Sequence, residues 1–143
     1  MEEGLRVELS QMPHVNTLTT REAAMMPPLV LAYLGDVVYE LYIRTHIVTH
    51  SKASVHKLHV GAVRYVNAKA QSAVIKKVMD RLSEEEADIV RRGRNAKPGK
   101  VPKNTDVAEY AYSTAFEALI GYLYVSGQQE RMYEILRWVI EET

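Results

Sequence analysis

Residues 29–48 read LVLAYLGDVVYELYIRTHIV, a stretch apolar enough for a buried helix that still places Gly35 and Asp36 side by side near its middle. Glycine costs a helix interior about 1 kcal/mol relative to alanine, and an isolated aspartate is costly to bury. A helix carrying both needs a neighbour whose backbone comes close and a partner for the carboxylate. That pair of demands restricts the fold more than any other feature of the chain.

A second segment answers both demands. In YSTAFEALIGYLY and the residues just before it, Tyr110, Thr114, Glu117 and Gly121 fall at i, i+4, i+7 and i+11, one stripe of a helix. Small neighbours around Glu117 let another helix approach, as Gly35 does beside Asp36. If the two helices cross there, Asp36 and Glu117 face one another. Two carboxylates that close repel or share a proton unless a cation sits between them. Magnesium suits such a site, because it accepts one or two carboxylates together with waters and phosphate oxygens. The plainer alternative is a buried acid satisfied by Arg44 or by a backbone amide.

The remaining chain reads as helix. Thr19 or Thr20 caps a short helix over REAAMM, and Pro27-Pro28 stops it and opens the long one. In the long helix Leu31, Leu34, Val38, Leu41 and Val48 share a seven-residue spacing on one face. Tyr33, Asp36, Glu40 and Arg44 lie on another side. Ser51 or Ser54 caps a third helix reaching about Leu82 with one break, and Ser83 with Glu86 forms a capping box. RRGRNAKPGKVPKNTD, with two glycines, two prolines and six bases by Lys103, reads as a loop. Thr105 or Asp106 caps the Glu117 helix, Gly127 closes it, and a last helix carries Met132 and Trp138 into the core. No alternating strand pattern or repeat occurs. The expected architecture is all-α, with an irregular arm at 1–16 and a single domain at 17–143.

The chain is neutral overall, but its charge is segregated. Residues 41–103 hold fourteen bases and five acids, net +9, between acidic flanks of −4 and −5. Such a segment points to a polyanion or an acidic partner, or to a solvated basic face balanced within the fold. Cysteine is absent, which excludes disulfides and cysteine-ligated metals. No apolar run is long enough to span a membrane and no signal-peptide pattern opens the chain, so a cytoplasmic protein with no membrane partner is expected. The five histidines include His46/His50 and His56/His59 at helical spacing. No further motif supports a zinc site there, and surface or capping roles are expected.

These motifs resemble those of a known family. LAYLGDVVYELYI is similar to the signature helix of the ribonuclease III family, in which a Leu-Gly-Asp step carries a metal-binding aspartate. TAFEALIGYLY is similar to its second motif, whose glutamate is the other central ligand. RRGRNAK, then PKNTD, then YSTAFEAL, resembles the short branch of that family, which is the catalytic domain without a double-stranded-RNA-binding domain. The likeness runs from about Leu29 to the end.

The resemblance implies the ribonuclease III endonuclease-domain fold, with Asp36 and Glu117 as metal-binding catalytic residues and Mg2+ as cofactor. It implies hydrolysis of double-stranded RNA, with 5′-phosphate and short 3′-overhanging ends, on the ends of precursor 23S ribosomal RNA. It also implies a homodimer with one site per strand and Tyr33 reaching into the partner subunit; the alternative for Tyr33 is an intramolecular core position. A large-subunit ribosomal protein is a candidate partner. Two acids of the longer enzymes are replaced here by Ala32 and Thr114, leaving Thr114, water, RNA phosphates or Glu40 to complete the site, although Glu40 also suits a salt bridge with Arg44. Arg91, Arg92, Arg94, Asn95, Lys97, Lys100 and Lys103 are the candidate RNA-binding residues, since duplex RNA is gripped through phosphates, shape and 2′-hydroxyls. Two other classes remain open: a non-catalytic RNA-binding scaffold of the ribosome, and a helical protein–protein module.

Overall fold

The computed structural model describes residues 18–143; the expected arm at 1–16 and His14 lie outside the described residues. Every element described is helical. They are α1 (Thr20–Ala24), α2 (Pro28–His50), α3 (Val55–Val66), α4 (Ala68–Val78) with a 3-10 turn (Met79–Arg81), α5 (Glu84–Asn95), α6 (Val107–Val125) and α7 (Gln129–Glu142).

Local chemistry sets most of these boundaries. Thr19 and Glu22 form a reciprocal capping box for α1, and Pro28 opens α2 at a position where its missing N–H is no loss. The break expected before Leu82 falls at Asn67, whose Nδ2 donates to the Val63 carbonyl at 2.8 Å while its Oδ1 accepts from the Ala70 amide at 2.8 Å. One side chain thereby closes α3 and caps α4. Ser83 and Glu86 box the start of α5, and Asp106 caps α6 by accepting from the Glu109 amide at 3.0 Å. At the far end of α6, Gly127 takes φ 73°, which lets the Gln128 amide donate to the Leu123 carbonyl at 2.9 Å.

The segment read as a loop from Arg91 onward begins five residues too early. Arg91–Asn95 form the last turn of α5, and the irregular segment covers only 96–106. Gly93 suggested a break, yet its role is close packing: a methyl group there would lie 2.8 Å from the Ala115 Cα of α6.

Helix α6 is the central element, packed against α2, α4, α5 and α7. Phe116, Leu119, Ile120 and Leu123 are fully buried, and Phe116 meets Tyr39 of α2 edge-on with ring centroids 4.9 Å apart. Met132, Ile135, Leu136 and Val139 of α7 close one side of the core, as expected for Met132. Trp138 is only half-buried, its ring flanked by the guanidinium groups of Arg81 at 5.3 Å and Arg131 at 5.0 Å. Arg131 also donates to both oxygens of buried Glu86 at 2.9 Å, tying α7 to the start of α5.

The face that α2 buries coincides only in part with that seven-residue spacing. Leu31, Ala32, Gly35, Tyr39 and Ile43 are buried, whereas Leu41 is 68% and Val48 59% exposed. Apolar residues surround most of this helix, so hydrophobic spacing alone does not select a side. The glycine selects it, because only that side lets another backbone come into contact.

Candidate active site

Helices α2 and α6 cross where each has a glycine. A methyl group on Gly35 would sit 1.7 Å from the carbonyl oxygen of Glu117, and one on Gly121 would sit 2.0 Å from that of Leu31. The two backbones are therefore in direct contact, and no larger residue fits at either position. Asp36 follows Gly35, and Glu117 lies one turn before Gly121. The crossing brings their carboxyl groups within hydrogen-bonding reach.

Asp36 is exposed, while Glu117 is largely withdrawn from solvent. Burial pushes the Glu117 carboxyl up, the hydrogen bond and charge of Asp36 push it further, and the charge of Glu40 adds to both. The Gln71 amide acts in the opposite direction, and the outcome is a value of about 9. At neutral pH this carboxyl holds a proton unless a cation replaces it. Two adjacent oxygen ligands with one open side fit magnesium, which retains waters and takes phosphate oxygens. Among the described residues no group of three or more His, Asp or Glu could hold a metal, so most of the coordination shell would come from solvent and substrate.

The expected helpers behave differently from one another. Glu40 pairs with Arg44 at 3.8 Å and still contributes its charge at Glu117. The Thr114 hydroxyl donates to the Tyr110 carbonyl at 3.0 Å, so it is tied into its own helix. Gln71, on α4, was not evident as a site residue in the sequence. It is fully buried and accepts a hydrogen bond from the Ser113 hydroxyl at 2.5 Å.

The basic candidates divide into two groups. Arg91 is paired with Asp88, and Arg92 donates to the same carboxylate at 3.2 Å and to the Ala24 carbonyl at 2.6 Å. The guanidinium of Arg92 thus joins α5 to α1, a structural task that the loop reading missed. Arg94, Asn95, Lys97, Lys100 and Lys103 are exposed. Spacing also failed to reveal a cleft of about 500 Å³ lined by Lys76, Arg91, Arg94 and Tyr112, with Lys76 Nζ 4.5 Å from the Tyr112 ring centre.

Tyr33 is 81% exposed, so the intramolecular core position does not hold. With Val30, Val37, Leu41 and Val48, all exposed, it forms an apolar stripe nearly opposite the buried face, at roughly 100° per residue. Asp36 lies between the two. His46 and His50 stack at 4.3 Å near the end of α2, with His50 Nδ1 2.8 Å from the His46 carbonyl oxygen.

A family model for the ribonuclease III domain matches residues 29–128, the span that contains both carboxylates and the helices that bring them together. The chain belongs to the ribonuclease III family. Within it, the curated relatives are Mini-ribonuclease 3 proteins. That of Thermoanaerobacter sp. is 53% identical over 87% of this chain and 91% of its own length. That of Symbiobacterium thermophilum is also 53% identical, over 78% of this chain and 86% of its own. A crystal structure of a Fusobacterium nucleatum protein superimposes with a TM-score of 0.75 at 35% identity, covering 82% of this chain and 94% of the other. The chain is accordingly an endoribonuclease of the ribonuclease III type, in the Mini-ribonuclease 3 branch. Among the described residues no helix is long and apolar enough to cross a membrane.

Proposed function

We propose that this endoribonuclease uses Mg2+ bound by Asp36 and Glu117 to hydrolyse double-stranded RNA, acting in the cytoplasm as a homodimer on the ends of precursor 23S ribosomal RNA. Residues 17–143 form its single catalytic domain. The observation that carries the reading is the meeting of the two carboxyls across the Gly35–Gly121 crossing. A bound cation lowers the pKa of water and neutralises charge on a phosphate. The chain's own contribution is positional. Glu117 is held by helices on several sides, and exposed Asp36 presents the open side of the pair to the substrate. Neither residue needs to transfer a proton for this role.

A duplex has two strands and each chain offers one Asp36–Glu117 pair. The stripe of Val30, Tyr33, Val37, Leu41 and Val48 gives a second copy an apolar surface beside Asp36, which supports a dimer with two sites. Exposed Arg94, Lys97, Lys100 and Lys103 supply phosphate contacts, in keeping with recognition of duplex RNA by shape and backbone.

The test is to map products from a long RNA duplex, and from a precursor 23S end duplex, incubated with Mg2+ or with chelator. The reading expects 5′-phosphate ends, short 3′ overhangs and no cutting in chelator. Tight binding to both RNAs with both left intact in Mg2+ would overturn it in favour of an RNA-binding scaffold.

A further inference from the structure

Around α6 from the carboxyl pair lies a second concave site, the cleft of about 500 Å³ lined from α4, α5 and α6. Its volume falls within the range of small-ligand pockets, roughly 300–1,000 Å³. Glu84, Arg91 and Arg94 line it at i, i+7 and i+10, one face of α5. Buried Val90 and half-buried Met79 make the interior apolar, and half-buried Tyr112 adds an aromatic wall. Lys76 is exposed with its Nζ 4.5 Å from the Tyr112 ring centre, and the Arg94 guanidinium lies 5.8 Å from the same centre. Arg91 is paired with Asp88, but among the described residues neither Lys76 nor Arg94 is paired with a carboxylate. Glu84 stands about 15 Å from Arg94 along the axis of α5. One end of the cleft thus offers two cations around an aromatic ring, the middle is apolar, and the far end offers a carboxylate.

We propose that this cleft binds one unpaired nucleotide of the RNA strand flanking the duplex, with its phosphate at Lys76 and Arg94 and its base in the apolar interior. This rests on the chain acting on RNA. A duplex does not fit the cleft, because its bases are stacked inside and its convex surface presents phosphates and 2′-hydroxyls. An unpaired base can be splayed out and laid against an aromatic ring or a guanidinium plane. At the far end Glu84 supplies an acceptor for an N–H group on the base edge, as carboxylates do in base recognition. The same carboxylate repels an acidic peptide, the other anion that two free cations would attract. Arg94 ends α5 and leads into the segment that carries Lys97 and Lys100, so a strand gripped there has a short path into the cleft. Tyr112 precedes Glu117 by five residues, roughly 140° around α6. The cleft therefore opens away from the carboxyl pair, and the nucleotide it holds is not the one being cut.

The test compares a blunt RNA duplex with the same duplex carrying a short single-stranded extension, by fluorescence anisotropy in chelator so that neither RNA is cut. The native chain is expected to bind the extended RNA about tenfold tighter, the scale of one stacked base. Its log–log salt dependence should be steeper by about 0.7 for each phosphate added from the single strand. Tyr112→Leu and Lys76→Gln should each lose this preference and bind the blunt duplex as the native chain does, while Tyr112→Phe keeps it. Lys76 is exposed, so its replacement decides the matter even if Tyr112→Leu does not fold. Equal affinity of the native chain for the two RNAs, or an undiminished preference in Lys76→Gln, would overturn the proposal. Free cytidine monophosphate and a poly-glutamate peptide are titrated alongside. Without a gain from the extension, Lys76-dependent binding of the first would make the cleft a free-nucleotide site, and that of the second a site for an acidic protein segment; either overturns the proposal. If the native chain binds neither RNA, the RNA reading itself falls. If it binds the blunt duplex and gains nothing from the extension, only the role of the cleft falls.

Discussion

Replacing Glu117 by glutamine should stabilise the protein while abolishing its activity, and the stabilisation should depend on pH in a defined way. The ordinary glutamate value is 4.5, and burial, followed by Asp36, raises that of Glu117 to about 9. Between these values the folded protein keeps a proton that the unfolded chain has released. Stability from this group is therefore complete below pH 4.5 and declines as pH rises toward 9, by about 1.4 kcal/mol per pH unit. At pH 7 the deficit is about 2–3 kcal/mol, allowing for the carboxyl's remaining contact with solvent. Glutamine has no proton to acquire. For a chain of this length each kcal/mol moves the melting temperature by roughly 3 °C. Glu117→Gln should thus melt about 6–10 °C above the native protein at pH 7 in chelator, with a gap of only about 2 °C at pH 5. Mg2+ should raise the native melting temperature and leave the variant nearly unmoved. The assay is thermal unfolding across pH 5–9, with and without Mg2+. A gap independent of pH, or a destabilised variant, would refute the reasoning.

The glycine crossing gives a test with the opposite sign from ordinary propensity. Alanine normally strengthens a helix, but at Gly35 or Gly121 its methyl group meets a carbonyl oxygen at 1.7 or 2.0 Å, so each variant should lose about 3 kcal/mol or more in denaturant unfolding. Gly99, with nothing within 4 Å, should tolerate alanine within about 0.5 kcal/mol. Neutralising Arg94, Lys97 and Lys100 together should flatten the log–log salt dependence of duplex binding by about 2–3, read from fluorescence titrations. Arg92→Gln should instead lower the melting temperature, because its guanidinium links Asp88 to the Ala24 carbonyl. Val37→Glu should convert the proposed homodimer to a monomer in sedimentation equilibrium, since the new charge would lie in the exposed stripe. A native chain that is monomeric at high concentration would count against the two-site arrangement.

The features legible in the sequence were local ones. Capping by Thr19, Ser83 and Asp106 and closure by Gly127 depend on residues within a few positions, and each appears where its spacing indicated. The meeting of Asp36 with Glu117 was legible for a related reason: each acid stands next to a glycine or small residue that only a helix contact would require. What spacing could not show were choices made by packing. Gly93 looked like a helix breaker, yet it is where α5 touches Ala115. The apolar spacing of α2 suited several faces, and the contact at Gly35 decided among them. The tie from Arg92 to Ala24 spans 68 residues, and Gln71 reaches Ser113 across 42, so neither leaves a local pattern.

The central claim is that Asp36 and Glu117 hold the cation on which RNA hydrolysis depends. Its most direct test is single-turnover cleavage of a long RNA duplex in Mg2+ by the native chain and by Asp36→Asn, with duplex binding measured on the same preparations in chelator. The account predicts that the variant binds RNA with native affinity and melts at least as high as the native protein. Its cleavage rate should fall by about three orders of magnitude or more, the scale of losing a principal charge-stabilising group. Native-rate cutting by Asp36→Asn would contradict the account, because the chemistry would then lie elsewhere on the molecule.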